Sequence, residues 1–101
     1  MKILALEHEN SGATPEQFQR HAKEEARAAW EFYQGGIIRE LYFRSDQHTA
    51  VLVLECASTA EAETFLANLP FVKAGLISFE LIPLAAYSGF AHLFGAEQQA
   101  R

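Results

Sequence analysis

Residues 49–55 read TAVLVLE, and this stretch decides the fold. A strand with one face in water alternates apolar and polar residues, yet Val51 to Leu54 are all apolar. Residues 2–7, KILALE, repeat the pattern from Ile3 to Leu6. Both segments therefore predict strands whose two faces are covered by other parts of a protein.

Two further strands and two helices are predicted around these segments. Residues 37–44, IIRELYFR, are joined to TAVLVLE by a short polar connection, which predicts an antiparallel hairpin. Residues 76–82, LISFELI, form the fourth strand. The order strand-helix-strand-strand-helix-strand is typical of the α+β ferredoxin-like fold, in which both helices lie on one face of an antiparallel sheet.

Local signals mark the limits of both helices. A capping box at Thr14 begins the first helix, and a Gly-Gly pair ends it after Gln34. A second capping box at Ser58 begins the second helix. This helix is predicted to end near Leu69, because Pro70 follows.

Two helices cover only one face of the sheet, so another surface has to cover the second face. A second copy of the same sheet is the simplest cover, and two such sheets would form a dimeric α+β barrel across a two-fold axis. We therefore predict a homodimer or a higher homo-oligomer.

Two regions are predicted along the chain. Residues 1–84 form the barrel domain, and residues 85–101 form a C-terminal helical tail that ends in a frayed polar segment from Gly95 onward. The tail repeats apolar side chains at helical spacing at Tyr87, Phe90, Leu93 and Phe94. Because an exposed aromatic patch is a liability, we predict that the tail packs on a partner subunit. The alternative is that it folds back on its own domain.

Composition excludes several classes of function. The net charge is −5, whereas a duplex nucleic-acid surface needs clustered Lys and Arg. The apolar runs are too short to span a bilayer, and no secretory signal opens the sequence. Cys56 is the single cysteine, so no intrachain disulfide can form, which favours a reducing cytoplasmic setting.

The first helix carries a carboxylate and an imidazole beside its apolar stripe. On a helical wheel centred on Phe18, Glu25 lies at about −20° and His21 at about −60°. A carboxylate at such a border is costly without a partner, and desolvation raises its pKa toward values useful for proton transfer. Glu25 and His21 are therefore candidate catalytic residues. The competing interpretation is an ion pair of Glu25 with His21 or Arg39. The stripe itself comprises Phe18, Ala22, Ala29 and Tyr33.

Isolated charges in apolar strands give further candidates. Arg39 lies in the middle of the second strand, where it could bind a carboxylate ligand in bidentate fashion or form a salt bridge to Glu25 or Glu80. Glu80 is a lone charge in the fourth strand. His8 ends the first strand, at a position where a barrel mouth is expected. We predict that Arg39, Tyr33, His8 and Glu80 bind substrate.

No metal or cofactor is expected. The histidines lie in different segments without a second ligand at metal-binding spacing, and His48 is predicted to be solvated. The sequence lacks a phosphate-binding glycine loop, a dinucleotide fingerprint and a serine nucleophile motif.

Several segments resemble muconolactone isomerase over roughly residues 20–84. They are the Glu24-Glu25 pair, GIIRELY (36–42), AVLVLEC (50–56), residues 58–70 and the tripeptide Phe79-Glu80-Leu81. The resemblance implies a ferredoxin-like, dimer-forming barrel that assembles into larger oligomers. It also implies a cofactor-free shift of a double bond in a lactone.

The resemblance also implies roles for individual residues. Glu25 lies where the family's helix carries a glutamate, and Arg39 lies where its second strand carries an arginine. One tuned carboxylate would remove and return a proton while the arginine holds the substrate carboxylate. The family has a tryptophan in place of Ile38 and a histidine in place of Glu40, which indicates a substrate other than muconolactone.

Three functions are compatible with these residues. The leading hypothesis is a cofactor-independent isomerase or lyase acting on a small lactone or organic acid. A second is a non-catalytic ligand-binding or assembly module, in which Glu25 and Arg39 neutralise each other and leave no cavity. A third is a cofactor-free monooxygenase of the dimeric-barrel type, in which His8 or His21 faces the cavity near Tyr33 or Trp30.

Overall fold

The computed structural model describes residues 1–95, so the predicted frayed end beyond Gly95 lies outside the described residues. The elements are β1 (Lys2–Glu9), α1 (Pro15–Gln34), β2 (Ile38–Phe43), β3 (Ala50–Glu55), α2 (Thr59–Leu66), α3 (Pro70–Lys73), β4 (Ile77–Leu84) and a 3-10 helix (Gly89–Phe94). None of the described helices is long and apolar enough to cross a membrane.

The four strands form one antiparallel sheet in the order β2-β3-β1-β4. β1 lies in the centre, where Ala5 is opposite Leu52 of β3 and Leu81 of β4. The predicted hairpin is the β2-β3 pair. The predicted ferredoxin-like α+β fold is confirmed.

α1 begins and ends where the sequence predicts. The Thr14 hydroxyl accepts a hydrogen bond from the Gln17 backbone N–H at 3.3 Å, and the Gln17 side chain accepts one from the Thr14 N–H at 2.9 Å. At the other end Gly36 has φ +84°, a left-handed conformation that lets the chain leave the helix and enter β2.

The second helical region is interrupted, which the sequence analysis did not predict. α2 begins after its Ser58 cap but ends at Leu66, and the separate turn α3 starts at Pro70. The proline fits the first position of a helix because that position needs no backbone N–H, but it disfavours helical geometry in the residue before it. The prediction of one helix ending near Leu69 was therefore too long.

One part of the helix-covered sheet face is filled by side chains, and we call it the packed half. Ile3 and Leu54 are fully buried there beneath α2. Cys56, at the edge of this region, is buried as well, and its backbone N–H donates to the Met1 carbonyl at 3.0 Å. The packed half consists of Ile3, Leu54, Cys56, Ala62, Leu66 and Leu69.

The opposite side of the sheet carries an apolar surface that no described helix covers. The register places Leu4 opposite both Val53 and Ile82, and Leu6 opposite Val51. All five side chains remain partly exposed. We call these residues the open face.

The tail leaves the sheet at the end of β4, where Leu84 is opposite Lys2. Phe94 is 85% exposed and Leu93 is 76% exposed. Tyr87 and Phe90 contact each other edge to face, with ring centroids 4.9 Å apart, and both are also largely exposed. In the described chain the tail therefore does not fold back on its own domain.

Candidate functional site

A cavity of about 710 Å³ lies between α1 and the helix-covered face of the sheet. Its floor includes Leu52 of β3 and Phe79 of β4, and its far wall includes Phe71 of α3. The volume falls within the range of pockets that enclose small organic ligands.

The cavity exists because α1 presents small side chains to the sheet. Ala22, Ala26 and Ala29 lie at helical spacing on the side of α1 that faces the cavity. No residue of α1 is fully buried, although Phe32 packs against the core near the end of the helix. Three methyl groups do not fill the distance between a helix and a sheet, so space for a ligand remains.

Glu25 faces this cavity from α1, as its place beside the apolar stripe predicted. Its Oε1 accepts a hydrogen bond of 2.9 Å from the Phe71 backbone N–H, which fixes the carboxylate against α3. Burial raises the pKa of Glu25 most strongly; the Phe71 N–H opposes this effect, and the nearby charge of Glu7 adds to it.

Glu7 is a second carboxylate in the same cavity, and it was not among the site residues predicted from the sequence. Its Oε1 accepts a hydrogen bond of 2.9 Å from the Ala50 backbone N–H. Burial again raises the pKa of Glu7 most strongly, the Ala50 N–H opposes this, Glu9 raises the pKa further and His48 lowers it. Alternation along β1 could have revealed Glu7, since it shares a face with the buried Ile3 and Ala5.

An imidazole lines the cavity, but it comes from neither of the predicted histidines. His48 lies just before β3 and stacks on Phe43 with ring centroids 4.2 Å apart. His48 is exposed, as predicted for a solvated residue, and it nevertheless forms part of the cavity wall.

Arg39 lies in a second pocket of about 510 Å³ next to the cavity, together with Trp30 and Tyr33. The β2-β3 register shifts between Ile38 and Glu40, so Arg39 is the extra residue of a β-bulge. Its Nε donates to the Gly36 carbonyl at 2.6 Å. The bulge therefore directs the guanidinium away from the space that Glu25 faces.

The remaining predicted residues lie away from the cavity. His8 and Glu80 are on the side of the sheet that carries the open face, where His8 Nε2 and Glu80 Oε1 are 3.3 Å apart. His21 lines neither of the two pockets. Within residues 1–95 Glu25 forms no ion pair with His21 or Arg39, and Arg39 forms none with Glu80.

The described part of the chain contains no group of three His, Cys, Asp or Glu side chains placed to hold a metal ion. A carboxylate whose pKa is raised toward neutrality can take a proton from a weak carbon acid and return it, as a general base and then a general acid. Burial raises the pKa of both Glu25 and Glu7 above the ordinary value of a glutamate.

No protein-family model matches the chain, and no curated protein matches it either. Among solved structures, the chain is similar to a crystal structure of muconolactone isomerase, with a TM-score of 0.72 and 16% identity over 87% of this chain and 92% of that one. It is also similar to 5-chloro-2-hydroxyhydroquinone dehydrochlorinase from Burkholderia phenoliruptrix in complex with 2,5-dihydroxybenzoquinone. There the TM-score is 0.63 and the identity 19%, over 88% of this chain and 98% of that one. The resemblance to muconolactone isomerase is therefore confirmed in the fold: this chain has the ferredoxin-like α+β architecture of these two enzymes.

Proposed function

We propose that this protein is a cofactor-independent isomerase that moves a proton, and with it a double bond, in a small lactone or organic acid. The observation that carries the proposal is the position of Glu25. It is half-buried in a largely apolar cavity large enough for such a molecule, it is held by the Phe71 N–H, and its pKa is raised by burial.

The reaction follows from the chemistry of that carboxylate. Ionised Glu25 removes a proton from a carbon next to the substrate carbonyl, and the electron pair left behind delocalises onto the carbonyl oxygen. The protonated Glu25 then delivers the same proton to another carbon of the conjugated system. Charge and electrons balance without a co-reactant, and the raised pKa of Glu25 favours the first step because it makes the ionised carboxylate a stronger base.

The geometry supports the acid/base part of the sequence-based hypothesis more than the anchoring part. Arg39 lines the adjoining pocket with its Nε bound to the Gly36 carbonyl. The non-catalytic ligand-binding or assembly module predicted that Glu25 and Arg39 neutralise each other and leave no cavity, and the monooxygenase predicted that His8 or His21 faces it. Among residues 1–95 the lining of the cavity includes Glu25 but not Arg39, His8 or His21, which supports the isomerase over both alternatives.

Proton exchange measures this function directly. The protein would be incubated in D₂O with a series of unsaturated lactones, some uncharged and some carrying a carboxylate, and deuterium incorporation beside the carbonyl would be followed by NMR. We expect Glu25→Gln to slow exchange at least about 100-fold, because general acid-base groups typically contribute that much. The amide oxygen can still accept the Phe71 N–H bond, so the fold should be preserved.

Glu24→Gln is the matched control, because Glu24 precedes Glu25 on α1 and pairs with Arg27 instead of lining the cavity. Its exchange rate should stay at the wild-type level. Exchange that survives Glu25→Gln, or a wild-type protein that exchanges no lactone, would contradict the proposed function.

We also propose a homodimer or higher oligomer in which a second copy covers the open face. The support is the contiguous apolar area formed by Leu4, Val53 and their neighbours, together with the exposed tail, which would pack on the partner. Sedimentation at micromolar concentration should give at least the mass of two chains, and Val53→Lys should lower it. A stable wild-type monomer would refute this assembly. A cytoplasmic setting is part of the proposal and has the single cysteine as its support.

A further inference from the structure

Acidic side chains outnumber basic ones in the cavity lining, where the imidazole of His48 is the one basic side chain among the described residues. Glu7, Glu9 and Glu25 contribute carboxylates, and among the described residues no Lys or Arg lines it. The guanidinium nearest along β2, that of Arg39, is held in the second pocket by the Gly36 carbonyl. A carboxylate ligand in the cavity would thus meet three like charges in a partly desolvated space, and among the described lining residues only the exposed imidazole of His48 could oppose them.

The two carboxylates that are held by backbone N–H groups, Glu7 and Glu25, add only acceptors when ionised, whereas Gln19, Tyr42 and His48 of the lining also carry donors. Oε1 of Glu7 and Oε1 of Glu25 each accept a backbone N–H, from Ala50 and Phe71. The second oxygen of each carboxylate has no hydrogen-bond partner within residues 1–95. An ionised carboxylate accepts hydrogen bonds and cannot donate them, so a ligand that binds Glu7 and Glu25 directly has to bring the donors.

The remaining walls are mostly apolar and partly aromatic. Phe18, Phe71 and Phe79 contribute ring surface, and the small side chains of α1 leave the space open. Such walls favour a compact apolar body, and the two carboxylates favour donors attached to it.

We propose that the cavity binds an uncharged, compact molecule carrying hydroxyl donors, such as a hydroxylated ring, and discriminates against carboxylates of the same size. The inference rests on the proposed function, in that it takes this cavity as the active site. It narrows the substrate class to the uncharged members, and it assigns Glu7 as a specificity-determining residue.

Binding of two probes tests the inference without requiring turnover. Resorcinol is a ring with two hydroxyl donors that is uncharged at neutral pH, and benzoate is an anion of similar size. Isothermal titration calorimetry of the wild-type protein near pH 7.5 should give at least about tenfold tighter binding of resorcinol. Equal affinities, a preference for benzoate or undetectable resorcinol binding would overturn the proposal.

Two variants connect the preference to the carboxylates. Glu7→Gln keeps an acceptor for the Ala50 N–H and removes one charge, so it should reduce the resorcinol-to-benzoate ratio several-fold. Glu24→Gln, outside the cavity, should leave the ratio unchanged. An unchanged resorcinol-to-benzoate affinity ratio in Glu7→Gln would show that Glu7 does not determine ligand specificity. If the wild-type preference holds but Glu25→Gln still exchanges deuterium, then the proposed function fails and the ligand class stands.

Discussion

The two halves of one sheet face differ in a way that separates stability from function. In the packed half, Ile3 and Leu54 are fully buried under α2. Glu7 and Ala50 lie a few residues farther along the same strands, under α1 and beside a cavity of about 710 Å³. Both halves belong to the same antiparallel sheet, so the difference arises from the size and charge of side chains and not from topology.

The comparison teaches where this fold tolerates charge. Burying a carboxylate without hydrogen-bond partners costs free energy, and the packed half contains no carboxylate. Glu7 and Glu25 are each held by a backbone N–H and are only half-buried, because the cavity admits solvent. We call the part of this face that lies beside the cavity, with Glu7, Ala50 and Leu52, the hollow half. We infer that the packed half supplies more of the free energy of folding than the hollow half.

The largest effect is expected in the packed half. Leu54→Ala removes a fully buried side chain and leaves a void, which should lower the free energy of unfolding by about 2–5 kcal/mol. Urea denaturation followed by circular dichroism measures the change. A loss well under 1 kcal/mol would mean that this region is not the packed core described.

Adding volume should distinguish the two halves most directly. Ala62 of α2 is fully buried and Ala22 of α1 lines the cavity, so both can be changed to Leu. Ala62→Leu should cost about 1–3 kcal/mol through overpacking. Ala22→Leu should cost less than about 1 kcal/mol, because empty space is available, while it weakens resorcinol binding. Equal destabilisation in the two variants would erase the distinction between packed and hollow halves.

The smallest effect concerns pH. The pKa of Glu7 is raised above its ordinary 4.5 in the folded state, so this group disfavours folding once it ionises. The stability that Glu7 contributes while it is protonated is fully present below its ordinary pKa. This stability is lost as the pH rises through the raised pKa of the folded state. Glu7→Gln should therefore stabilise the protein near pH 7 and have little effect near pH 4. Because the carboxylate is half open to solvent, we expect the gain to stay under about 1 kcal/mol.

Urea midpoints of wild type and Glu7→Gln at the two pH values measure this effect. The same comparison for Glu24→Gln should show no such pH dependence of the difference, since Glu24 lies outside the cavity. A gain for Glu7→Gln that is larger near pH 4 than near pH 7 would contradict the assigned sign.

The fold could be predicted from the sequence because the sequence signals for its helices and strands are local. The capping box at Thr14 and the apolar runs around Leu4 and Val53 each depend on neighbouring residues, and the observed elements agree with them. The end of α2 was missed because Pro70 marks where the helical region is interrupted but does not show that the helix already ends at Leu66.

The site could be predicted from the sequence only in part, because the positions of its side chains depend on the register of the strands. Glu25 was found from its angular position on a single helix. Arg39 was expected beside it, but the bulge in β2 cannot be inferred from alternation. Alternation along β1 places Glu7 on the face of Ile3 and Ala5, but the position of that end of the strand beside a cavity under α1 is a long-range property of the sheet.

The thiol of Cys56 can be used to measure local opening of the packed half. It is the single thiol in 101 residues, it is buried at the end of β3, and burial raises its pKa, so a thiol-specific reagent meets a shielded and largely protonated sulfur. Labelling then has to wait for the region to open. The rate of modification, followed by mass spectrometry, would measure the opening free energy of the packed half without any substitution, and ligand added to the cavity would show whether the two halves open together.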